Sequence, residues 1–69
     1  MSMEYNRLQT IMNEKNITYR ELARMTGVSI GTLHKIANFQ QSPTQKVMIA
    51  IARGLQMDVA EVFNLEWRK

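Results

Sequence analysis

The chain has 69 residues, nine Lys and Arg against six Asp and Glu, a net charge of +3, no cysteine and a single histidine, His34. That length supports one domain, residues 1–69, with a small core, and the Cys and His counts exclude disulfides and ordinary Cys/His zinc sites, so no metal or other cofactor is expected. No run approaches the roughly 18 apolar residues of a membrane span and residues 1–7 carry no apolar core or cleavage signal, so a soluble, cytoplasmic protein with no membrane partner is expected.

In chain order, a first helix is predicted over about residues 3–15, with Leu8 and Ile11 facing inward, joined by Met12 and Tyr5. Asn16 ends it, because Asn tolerates the left-handed backbone just beyond a helix, and Ile17 packs as the chain turns. Thr18 and Glu21 then form a T-x-x-E capping box, and Leu22, Ala23 and Thr26 make one stripe of a second helix. Gly27 supplies the backbone freedom for a tight exit, Val28 turns inward, and Ser29 caps a third helix whose Leu33 and Ile36 face the core. The connection is too short for anything but a crossed pair, and Ala23 is small where two crossing helices must approach. Residues 18–37 therefore read as a helix-turn-helix.

Residues 38–42 form a polar loop, and Pro43 with Thr44 starts a fourth helix carrying Met48, Ile51, Ala52 and Leu55 at i, i+3, i+4 and i+7, with Gly54 near its end. Asp58 and Glu61 repeat the capping-box pattern and open a short fifth helix that turns Val59, Val62 and Phe63 inward. Residues 64–69 are a less determined tail. Without strand alternation or repeats, the fold is all-α, a compact five-helix bundle around the helix-turn-helix, and the six methionines serve as adaptable filling. Charge concentrates on the motif: residues 15–53 hold six basic groups against Glu21 alone, a net of +5, while the rest of the chain is net −2. A polyanionic partner fits that asymmetry.

The pattern L-A-x-x-x-G-V-S-x-x-T-L-x-x-I over residues 22–36, with S-P-T and I-A-R-G-L-Q-M-D-V-A-E-V-F downstream, resembles the Cro/CI-type (XRE) family of helix-turn-helix transcriptional regulators over about residues 7–63. The resemblance implies a lambda-repressor-like DNA-binding domain whose recognition helix, about residues 29–37, enters the major groove of double-stranded DNA. Carried over by position, it puts Ile30, Gly31 and Lys35 at the main base-reading positions, with Thr32 and His34 at the margin near phosphates or a neighbouring base.

Phosphate contacts are expected from the helix starts at Thr18, Tyr19, Ser29 and Thr44, from Asn38, Gln40, Gln41 and Ser42 in the loop that lies against the backbone in this family, and from Arg20 and Lys46 by charge. Tyr19 either donates its hydroxyl to a phosphate or covers the neighbouring helix. His34, without Cys or acidic partners at ligand spacing, reads as a phosphate or base neighbour rather than a metal ligand. Two positions depart from the family pattern. Phe39 stands where glycine is common, so either Asn38 takes the left-handed role, or Phe39 extends the helix and packs against the fourth; a wedge inserted into a DNA groove is the sharper alternative. Gln45 replaces an inward apolar residue, which either loosens the preceding loop or turns an amide toward DNA.

One recognition helix covers few base pairs, so the resemblance also implies a homodimer on a palindromic operator. Phe63, Leu65 and Trp67 exceed what so small a core can bury and are the dimer-interface candidates, with an intramolecular return of Trp67 onto the first helix as the alternative. The expected function is a sequence-specific regulator of bacterial, phage or plasmid type, associated with the nucleoid when bound, that represses by covering its operator. A protein-interaction module of antitoxin or anti-regulator type on the same fold is the competing class. An enzyme is not expected, because no activated nucleophile, carboxylate pair or metal cluster can be assembled from these residues. The reading edge lacks Gln, Asn and Arg, so apolar contact and DNA shape should carry part of the specificity. Selection from a random duplex pool is expected to return sites with few fixed adenines; a long motif with several invariant adenines would overturn that reading.

Overall fold

The computed structural model describes residues 6–63. They form five helices in chain order: α1 (Leu8–Lys15), α2 (Tyr19–Thr26), α3 (Ile30–Ala37), α4 (Gln45–Leu55) and α5 (Val59–Val62). None is long and apolar enough to cross a membrane. The core collects Leu8, Ile11 and Met12 from α1, Leu22 from α2, Leu33, Ile36 and Ala37 from α3, Ile51, Ala52 and Leu55 from α4, and Val62 and Phe63 from the C-terminal end. Ile17, Tyr19, Ala23, Val28, Val47, Met48, Met57 and Val59 close its edges. Of the methionines predicted as filling, Met12 is buried and Met48 and Met57 line the core, whereas Met25 is exposed; Met1 and Met3, like Tyr5, lie outside the described residues.

The N-terminal helix begins later than the sequence pattern predicts. Asn6 and Arg7 are not helical: Asn6 pairs with Phe63 in an isolated antiparallel bridge, and Arg7 N–H donates to Val62 O at 2.8 Å. The reason is the Asn6 side chain. Its Oδ1 accepts from Leu8 N–H at 3.1 Å, a turn that competes with helix, and its Nδ2 donates to Ile36 O at 3.0 Å, thirty residues away. Both amide groups are satisfied in a residue only 6% exposed.

The helix starts form as their sequences dictate. Thr18 Oγ1 accepts from Glu21 N–H at 3.1 Å while Glu21 Oε1 accepts from Thr18 N–H at 2.9 Å. Ser29 Oγ accepts from Thr32 N–H at 3.3 Å and Thr44 Oγ1 from Val47 N–H at 3.2 Å. At α5, Glu61 Oε1 accepts from Asp58 N–H at 3.2 Å.

Three helix ends share one device. The residue after the helix adopts the left-handed conformation at Asn16 and Gln56, each with φ 60°, and the next amide returns to the carbonyl five residues back: Ile17 to Met12 and Met57 to Ala52, both at 2.9 Å. The end of α3 does the same one residue later. Phe39 itself takes φ 60° and Gln40 N–H reaches Lys35 O at 2.7 Å, while Asn38 has φ −100°. Both local expectations for this site are thereby corrected. Asn38 does not supply the left-handed residue, and Phe39 neither extends the helix nor is buried against α4, being 51% exposed. The closing bond to Lys35 requires a left-handed backbone at residue 39 whatever side chain stands there.

Gly27 has φ 80° and ends α2, with its N–H on Ala23 O at 2.8 Å. Gly54 has a different task. It lies inside α4, and a Cβ built on it would stand 2.7 Å from Thr26 Cγ2 and 2.8 Å from Met25 O, so the missing side chain is what lets α4 sit against the end of α2. Gly54→Ala is expected to cost about 1–3 kcal/mol, because the opposing carbonyl is backbone and cannot swing away. Gln56→Gly should instead stabilise by about 0.5–1 kcal/mol by relieving left-handed strain. Thermal unfolding of the two variants checks both signs.

Candidate nucleic-acid interface

The exposed side of α3 is built by what its other side buries. With Leu33, Ile36 and Ala37 in the core, Ile30, Gly31, His34 and Lys35 are exposed and Thr32 is half-buried. Ile30 is 41% exposed, an apolar side chain of this size presented on a helix start with no protein surface to cover it fully. Gly31 has no protein atom within 4 Å of where a Cβ would stand, so its lack of a side chain answers no demand of the fold. Lys35 follows Gly31 by one helical turn and is exposed.

The starts of α2, α3 and α4 each carry a side-chain cap. Capping by Thr18, Ser29 and Thr44 serves the third amide of each helix, and the fourth bonds to the cap carbonyl; the N–H groups of Tyr19 and Arg20, Ile30 and Gly31, and Gln45 and Lys46 are left without a protein acceptor among the described residues. Each pair of amides carries the positive end of a helix dipole. The hydroxyls of Thr18 and Thr44 accept from backbone in these caps, and their own O–H remains available to donate. Ser29 and Thr32 instead share one hydrogen at 2.8 Å, so the pair offers a single O–H outward. Arg20 and Lys46 are exposed in the first turns of α2 and α4, as are Gln40, Gln41 and Ser42 in the loop before α4. Gln45 is exposed at the first position of α4, so its amide faces out rather than into the core.

Two expected contacts look different in place. The Tyr19 ring is half-buried and stacks on the His34 ring, centroids 4.2 Å apart and planes 26° from parallel, so Tyr19 does cover the neighbouring helix. The Asn38 side chain is committed within the protein: its Nδ2 donates to His34 O at 2.8 Å and lies 3.4 Å from His34 Nδ1, and its Oδ1 accepts from Gln9 Nε2 at 3.0 Å. That amide therefore has a structural role, tying the end of α3 to α1. Gln9 was outside every sequence-based expectation. It shares a depression with Met12, Asn13 and Tyr19 on one side and a second with Asn6, Arg7, Thr10, Ala37 and Phe39 on the other. No local pattern marks it, because its partner is 29 residues away.

The dimer candidates divide. Phe63 is 1% exposed and closes the chain's own core, which removes it from any surface offered to a second copy. Leu65 and Trp67 lie outside the described residues.

A helix pair with a three-residue connection, a cap at each start and a basic, partly apolar outer face defines a helix-turn-helix domain. The helix-turn-helix family matches this chain over residues 8–62, and the chain belongs to that family, of the Cro/CI-like XRE type. Neither the curated proteins nor the solved structures contain a match to it. Membership of this family makes the chain a DNA-binding regulator. Thr18→Ala should lower stability by about 1 kcal/mol through loss of the cap. Gly31→Ala should leave the fold intact or stabilise it by up to about 1 kcal/mol. Urea unfolding measures both, and a destabilised Gly31→Ala would show that the fold, not a ligand, requires glycine there.

Proposed function

We propose that the protein is a sequence-specific transcriptional repressor that lays α3 in the major groove of its operator and acts by covering it. The observation that carries this reading is Gly31. An open-faced glycine on an exposed helix start, flanked by Ile30 and followed one turn later by Lys35, suits close approach of backbone to base edges. In this arrangement Lys35 donates to guanine O6 and N7, Ile30 meets a thymine methyl, and Thr32 and His34 serve the margin.

The helix starts of α2 and α4 receive phosphates on their free amides, aided by the hydroxyls of Thr18 and Thr44, the Tyr19 hydroxyl, the single O–H offered by Ser29 and Thr32, and the charges of Arg20 and Lys46. Gln40, Gln41 and Ser42 follow the backbone in the loop. Two copies bind a palindromic operator with half-sites about one helical turn apart. With Phe63 buried, the pairing surface falls to residues beyond it, Leu65 and Trp67 among them.

Binding to an operator selected from random duplexes should fall roughly 10³- to 10⁵-fold between 50 and 200 mM salt if about six to ten phosphates are contacted. Lys35→Ala should cost about 1–3 kcal/mol on the selected site and much less on random duplex. Gly31→Ala, folded and no less stable, should weaken the selected site. A flat salt response, with Lys35→Ala and Gly31→Ala binding as the parent does, would reject the proposal in favour of a protein-interaction module.

A further inference from the structure

The side chains of Gln9, Asn38, His34 and Tyr19 form one chain from α1, across the C-terminal end of the recognition helix, to the first residue of α2. Its hydrogen-bond directions follow from chemistry. Asn38 places one amide atom 2.8 Å from the His34 carbonyl, which only accepts, so that atom is the nitrogen. The other atom is then Oδ1, and it accepts from Gln9 at 3.0 Å. The same Asn38 nitrogen stands 3.4 Å from His34 Nδ1. An amide NH2 cannot accept a hydrogen bond, so a bond between the two requires a lone pair on Nδ1 and the proton of the neutral imidazole on Nε2. The Tyr19 ring, 4.2 Å away, restricts rotation of the imidazole. His34 is exposed, and Nε2 has no acceptor among the described residues.

From these bonds we infer that Gln9 and Asn38 are positioning residues that lock His34 in the Nε2–H tautomer, and that this N–H is a fixed, uncharged donor to a phosphate oxygen of duplex DNA. The inference rests on the DNA-docking reading above. A phosphate is the acceptor because the imidazole lies on Tyr19, the first residue of α2, where the Tyr19 and Arg20 amides also lack protein partners. The donor and the two amides would then hold one strand of the backbone together, and the tilt of the recognition helix would be set from α1 through Asn38. Being neutral, the contact releases no counterion.

The test has two parts. Nitrogen NMR of the neutral imidazole in the DNA-free protein should show Nε2 protonated and Nδ1 bare. Asn38→Asp, whose carboxylate only accepts, should move the proton to Nδ1, and Gln9→Ala should weaken the bias without unfolding the chain. An Nδ1–H tautomer in the parent, or a tautomer indifferent to Asn38→Asp, would overturn the lock even if DNA binding is intact. On the selected operator, His34→Ala should bind about tenfold more weakly, and His34→Gln, which keeps a terminal N–H, should recover most of that loss. The salt slope should stay unchanged in both, whereas loss of a charged contact would lower it by about 0.9.

Replacing single operator phosphates with uncharged methylphosphonates should reveal one whose effect disappears in the His34→Ala background. Coupling to 7-deazaguanine instead would overturn the phosphate assignment. A parent protein with the expected tautomer that binds no duplex at all would overturn the donor role together with the repressor reading, which separates that failure from failure of the lock alone.

Discussion

The arrangement of this domain depends on how α2 is held. It is gripped on one side by α3, through the turn at Gly27, and on the other by α4, which reaches van der Waals contact with the Met25 carbonyl and the Thr26 methyl because residue 54 has no side chain. Leu22, fully buried, fills the wedge between. A helix of eight residues has little stability of its own. Its direction is a tertiary product, and the crossing angle of α3 inherits it. Thr26 serves both sides: its Oγ1 donates to Leu22 O at 2.8 Å and accepts from Val28 N–H at 3.1 Å, tying the end of α2 to the turn while its methyl faces Gly54.

A second constraint acts through the loop after α3. Phe39 holds a left-handed conformation that costs a non-glycine residue roughly 1–2 kcal/mol. The return bond from Gln40 to Lys35 and the Asn38 amide on the His34 carbonyl cap the same last turn of α3. The end of α3 is thus capped by backbone and side chain together. Asn6 adds a third tie from the opposite side, donating to the Ile36 carbonyl from a buried position. Asn6 in the N-terminal region and Asn38, Phe39 and Gln40 in the loop, none of them in the helix-turn-helix pattern, determine where α3 stops and how it sits.

Much of the candidate interface was legible in the sequence because its cues are local. A T-x-x-E box, a serine before an apolar stripe and a proline-threonine pair each solve a problem confined to one turn of helix, the unpaired amides at its start, and they solve it the same way in any fold. Exposure of Ile30, Gly31 and Lys35 followed from Leu33 and Ile36 facing inward at helical spacing. Two positions that local patterns did not mark have the opposite property: the side chains of Asn6 and Gln9 find partners 30 and 29 residues away, and no spacing within a window of one or two turns encodes such a bond. Phe63 was assigned both to the core and to a surface, since apolar character alone does not say whether a small core has room for it; here it does.

The sequence by itself determined the five helices, their caps, the turn at Gly27 and the basic segment that carries the DNA-binding family. Each follows from short-range hydrogen bonding, helical periodicity or the sum of charges. Only the tertiary structure decided that the first helix waits until Leu8, that Gly54 is a close contact with the end of α2, and that Tyr19 and His34 stack across two helices. Those outcomes depend on the distance between elements, and that distance exists only once Leu22, Leu33, Ile51 and their neighbours have packed.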